Sequence, residues 1–121
     1  MGLAHWDDVE KRRNVRGQMA GTWSDLGTAA GSYRCGVTRI ELAPGEMPTP
    51  AHVHGEAEEI FYVLAGSGLT WLDGKAYELR AGDCVVYRNF HEAPGSTGYC
   101  SNNNVFSSRI RRVTSSREVC R

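Results

Sequence analysis

No run in this 121-residue chain approaches the roughly 18 consecutive apolar residues that a membrane-crossing helix needs. Neither sign of charge is in excess, since 14 Lys and Arg balance 14 Asp and Glu. No global field therefore favours nucleic acid or a membrane surface. The four cysteines, Cys35, Cys84, Cys100 and Cys120, include no C-x-x-C pair, which removes the zinc-ribbon and dithiol redox motifs. The first residues lack the basic and apolar regions of a secretory leader, and Trp6 stands where a myristoylation signal needs Ser or Thr. Free thiols in a reducing compartment, and a cytoplasmic location, are the expectation. Gly66-Ser67-Gly68 lacks the remainder of a phosphate loop. No Ser or Cys stands at a suggestive spacing from a His and an acid for a nucleophile.

An apolar share of 40% suffices for one modest core in one domain. The 14 glycines and repeated turn signals favour short strands over long helices. Charge is uneven along the chain: residues 1–92 hold 9 basic and 13 acidic side chains, and residues 93–121 hold five Arg and one Glu. That basic end lacks interleaved aromatics, so it reads as a solvated tail rather than a nucleic-acid contact.

Three regions follow. Residues 1–20 form an N-terminal arm or short helix, with Asp7 or Asp8 as cap and Leu3, Trp6 and Val9 as an apolar edge. Residues 21–93 hold the barrel core. Within it, residues 21–31 read as a loop with one short strand. Residues 32–42 read as a strand whose apolar residues change face between Val37 and Ile40, so it carries either a bulge or two covered faces. Pro48 and Pro50 keep residues 47–51 extended. Strands are predicted at 59–65, 69–72, 75–80 and 84–87, separated by turns at Gly66-Ser67-Gly68, Asp73-Gly74 and Ala81-Gly82-Asp83. This spacing predicts an antiparallel barrel or sandwich. Residues 94–121 are poorly patterned, with 94–104 loop-like and one strand at 105–113, so closure of the sheet at this end is in question.

The chemistry concentrates in residues 45–66. His52 and His54 are two apart, which on a strand puts them on one face about 6.6 Å apart. Two imidazoles so placed can converge on one metal ion, with a carboxylate from the next strand as third ligand. Glu59 shares a face with Phe61 and Val63, whereas Glu58 shares one with Ile60 and Tyr62. Adjacent strand residues face opposite ways, so Glu58 and Glu59 do not form a glycosidase pair. Glu56 and Glu58 read as solvated rim charges.

Residues 45–91 resemble the cupin superfamily, small β-barrels of jelly-roll type with a metal in the mouth. The first family motif, G-x5-H-x-H-x3–4-E-x6-G, is met by Gly45, His52, His54, Glu59 and Gly66 with one extra residue in the first gap. The second family motif supplies a third His after a Gly-Asp turn. Gly82-Asp83 is that turn, and His91 follows eight residues after Asp83, where the family more often has about ten; Ala93 occupies that place. Either His91 reaches the metal through a shortened loop, or His52, His54 and Glu59 are the whole set. The resemblance leaves residues 94–121 unmatched.

It implies one divalent metal, Zn, Mn, Fe, Ni or Cu, and a small organic molecule in the barrel mouth. Two classes fit: a metal-dependent dioxygenase, isomerase or lyase, or a non-catalytic small-molecule-binding or sensory protein. The enzyme needs an acid or base beside the metal, for which Tyr62, Tyr77 and Glu56 are the candidates. A homodimer is expected, with no nucleic-acid or membrane partner.

Overall fold

The computed structural model describes residues 1–17, 19–49, 57–72 and 75–88, together with the backbone of residues 98–113. The regular structure of the described chain is almost all strand: β1 (Arg12–Arg16), β2 (Met19–Asp25), β3 (Cys35–Glu41), β4 (Ala57–Leu72), β5 (Lys75–Arg80), β6 (Cys84–Tyr87) and β7 (Gly98–Val113), with one short helix, α1 (Leu26–Ala29). All pairings between these strands are antiparallel. The sheet order is β1-β2-β3-β7-β4-β5, with β6 also on β4. Among the described residues β1 and β5 end this order, so the all-β sheet is not closed by hydrogen bonds. The sequence puts closure in question at the C-terminal end, but the open ends are β1 and β5, and the C-terminal β7 lies inside the order.

β4 organises the sheet. β7 runs along one of its edges for the whole length. The other edge is shared, with β6 against Glu59–Tyr62 and β5 against Ser67–Leu72. The Gly82-Asp83 turn joins β5 to β6 and is itself sewn to β4, because Gly82 N donates to Val63 O and Val63 N donates to Asp83 O, both at 2.9 Å. Asp83 Oδ2 accepts from Arg80 N at 2.8 Å, closing the turn locally.

Three expectations change here. Gly66-Ser67-Gly68 is not a turn but lies inside β4, where the register against β7 shifts between Val63 and Ala65 and again between Gly66 and Ser67. Bulges of this kind bend a strand without ending it, and Gly66 takes the positive φ of 80° that they favour. Residues 98–104, read as loop, are strand. Their polar side chains carry little strand propensity, and pairing with Ser67–Leu72 supplies what propensity lacks. Residues 12–16, assigned to an arm or helix, form β1 in a hairpin with β2 across Gly17 (φ 63°).

The core consists of Ile40, Leu42, Phe61, Val63, Leu79 and Val85, with Trp23, Leu72 and Tyr87 packed at its margin. Ile40 and Leu42 put the even face of β3 inward. Its odd face is exposed at Cys35 and only partly exposed at Val37, Arg39 and Glu41, so the change of face needs no bulge: the strand is half-covered on its odd side toward Glu41. Trp6 lies over the Arg39 guanidinium at 4.7 Å from the ring centroid. Arg39 Nη1 pairs with Glu41 Oε1 at 2.9 Å, and Lys11 Nζ approaches the same oxygen at 3.8 Å. Leu3, expected on the same docking edge, is exposed. At the far end of β2, the Asp25 carboxylate caps α1 by accepting from Thr28 N at 3.0 Å and from Thr28 Oγ1 at 2.7 Å.

Candidate functional site

Alternation along β4 decides which of two neighbouring carboxylates enters the interior. Ala57, Glu59, Phe61 and Val63 are buried, while Tyr62 and Leu64 are exposed and Glu58 and Ile60 lie between. Glu59 is 3% exposed and sits on the face that carries the core residues Phe61 and Val63. Its Cα partners are Tyr87 on β6 and Arg111 on β7, so a strand flanks it on each side. The shift between Val63 and Ala65, which leaves one extra residue in β4, then inverts its alternation, and beyond Gly66 it is Gly68 and Thr70 that are buried.

Thr70, 1% exposed, shares a short hydrogen bond between its hydroxyl and that of Tyr87. The Tyr87 ring meets Phe61 edge-on at 5.3 Å between centroids. A polar pair thus stands on the wall beside Glu59. Sequence reading missed it, because Tyr87 falls in a strand that reads as plain apolar wall and its partner is 17 residues away.

Upstream, the segment that leads to the two histidines is held at two points. Ala20 N donates to Met47 O at 2.9 Å, within a parallel bridge between Met19 and Met47. The Glu46 carboxylate receives the forked Arg13 guanidinium of β1, Nη1 to Oε2 at 2.9 Å and Nη2 to Oε1, and Oε2 also accepts from Ala43 N at 2.9 Å. The hydrogen bonds from Arg13 and from the Ala43 amide pull the Glu46 carboxyl down to about 2. Gly45, at φ 80°, makes the turn that aims Glu46 back at Ala43.

Of the sequence-predicted site residues, Glu59 is where strand geometry puts it. His52, His54, Glu56 and His91 lie outside the described residues. Tyr62 and Tyr77 are 43% and 47% exposed, and Tyr62 occupies the face of β4 opposite to Glu59. Among the described residues no three His, Cys, Asp or Glu side chains gather closely enough to hold a metal ion, three of the four expected ligands being outside that set. The one described donor fits the role, since a carboxylate almost removed from water favours facing a cation or strong donors. Among the described residues Cys35 and Cys84 are free and exposed, and no helix is long and apolar enough to cross a membrane.

Known proteins agree with this architecture. A family model described as a cupin domain matches residues 38–91. An uncharacterized protein of Methanocaldococcus jannaschii is 39% identical over 44 residues, a match spanning 36% of this chain and about a third (35%) of that protein. Among solved structures, a sugar phosphate isomerase from a cupin superfamily of Silicibacter pomeroyi superposes with a TM-score of 0.81 at 21% identity, covering 93% of this chain and 76% of that one. A predicted oxalate decarboxylase of Thermotoga maritima superposes with a TM-score of 0.74 at 19% identity, covering 92% and 98%. At these identities the superpositions speak for the fold. The strand order and these superpositions give the chain the fold of the cupin proteins, and residues 38–91 are the part that matches the cupin domain model.

Proposed function

We propose that this chain is a cupin that binds one divalent transition metal through His52, His54 and Glu59, with His91 as a further ligand, and that a small organic molecule binds or reacts there. The observation that carries the reading is the inward placement of Glu59 at 3% exposure, with its neighbour Glu58 turned to the other face. Glu59 is also the acid separated from Gly66 by six residues, as the E-x6-G part of the motif requires. Neutral imidazoles with one carboxylate suit Zn, Mn, Fe, Ni or Cu. A bound metal would supply Lewis acidity or an acidified water. Around it, Glu59 contributes negative charge from inside the sheet, Phe61 and Val63 keep bulk water from that charge, and Tyr87 with Thr70 offers hydroxyls on the adjoining wall.

Small oxygen-rich molecules that chelate through two oxygens are the fitting ligand class. A sugar phosphate and oxalate are the first compounds to test, being the chemistry after which the similar folds above are named. Among the described residues the sheet edges at β1 and β5 are open, which supports pairing into a homodimer, in the cytoplasm. Purified protein should carry close to one metal per chain by elemental analysis, and the His52→Ala/His54→Ala variant should carry none. Full retention of metal in that variant would overturn the assignment.

A further inference from the structure

The β1–β2 hairpin lies outside the residues that make the candidate centre, yet it grips the segment leading to them. Arg13 reaches across 33 positions to Glu46 with both ends of its guanidinium, and β2 holds Met47 by a backbone bond. Met47 is five residues before His52, so these contacts are the last described anchors ahead of the two imidazoles. A forked Arg–carboxylate pair fixes direction as well as distance. Here its acceptor is additionally tied to Ala43 at the start of the same turn. Glu46 is mostly sheltered, with 14% of its side chain exposed, unlike the ordinary surface pair between Arg12 and Glu10, where both side chains are largely exposed.

We infer that Arg13 is a positioning residue for the metal site, acting through Glu46 to set the approach of the segment that carries His52 and His54. The inference rests on the metal site proposed above. Metal ligands whose supporting contacts are removed lose affinity because the ligands must then be ordered at the moment of binding. The anchor at Met47 remains when Arg13 is changed, so the loss is partial rather than complete.

The test is Zn²⁺ affinity measured by competition with a chromophoric chelator, at 25 °C, on full-length protein whose thermal midpoint is determined in parallel. Arg13→Ala should weaken Zn²⁺ binding by about tenfold, the lower end of the range for lost supporting contacts. Arg13→Lys should recover only part, since an ammonium cannot make the fork. Arg12→Ala, which removes a surface pair but no anchor of the segment, should bind as wild type. Should Arg13→Ala not fold, Glu46→Gln keeps an acceptor for Ala43 while losing the charge, and should weaken binding in the same direction. Wild-type affinity in Arg13→Ala or Glu46→Gln, or an equal loss in Arg12→Ala, overturns the inference. Undiminished binding by His52→Ala/His54→Ala instead overturns the metal site on which it rests.

Discussion

Glu58 and Glu59 are consecutive in β4, yet Glu59 lies on the buried face with Phe61 and Val63 while Glu58 belongs to the face shared with the exposed Tyr62. The pleat alone makes this division, since successive side chains leave a strand on opposite sides. It turns an ambiguous pair of acids into one interior carboxylate and one outer charge.

The hydroxyl pair on the neighbouring wall should have a measurable worth. Tyr87→Phe keeps the ring against Phe61 and removes the bond to Thr70, whose side chain is almost wholly buried. A loss of about 1 kcal/mol is expected, read as a lower urea midpoint at unchanged slope. An unchanged midpoint would mean that the bond contributes nothing net.

Stability should also report the Arg13–Glu46 pair through pH. The Glu46 carboxyl falls from the ordinary 4.5 to about 2 when folded, chiefly because of the Arg13 hydrogen bond. A folded value below the unfolded one stabilises fully above pH 4.5 and loses that stabilisation as pH falls from about 4.5 to about 2. Because Arg13 is half exposed, solvent screens the pair and its contribution is small, as for a surface pair. Urea unfolding of wild type and Glu46→Gln across that window should show the wild type losing its advantage as the acid is titrated. Parallel pH profiles would contradict this.

The core makes a sharper demand. Ile40 is 2% exposed at the centre of the apolar cluster, so Ile40→Ala should cost about 3 kcal/mol and Ile40→Val about 1 kcal/mol. Gly66→Ala tests the bulge independently. At a φ of 80° a side chain costs about 1 kcal/mol or more, which thermal melting resolves as a drop of several degrees.

What the sequence made legible was local. Alternation marked the strands at 75–80 and 84–87, where polar and apolar residues or a short apolar run are bounded by turn residues, and it also selected Glu59 over Glu58. It failed where the alternation reverses within one strand. Gly66-Ser67-Gly68 carries the composition of a turn, but β7 bridges it and the two halves of β4 continue as one. It failed again at residues 98–104, whose Ser and Asn residues join the sheet only because β4 offers them an edge. Long-range pairs such as Arg13–Glu46 and Thr70–Tyr87 have no short-range signature. The roles of His52, His54 and His91 were legible only as motif spacing, and they lie outside the described residues.

The most direct test of the account compares two near-identical changes. Metal per chain is measured by elemental analysis after dialysis against a weak chelator, for wild type, Glu58→Gln and Glu59→Gln. The account predicts that Glu58→Gln retains the wild-type metal content and that Glu59→Gln loses most of it. Equal retention by both variants, or loss in Glu58→Gln alone, would contradict an interior metal site built on Glu59.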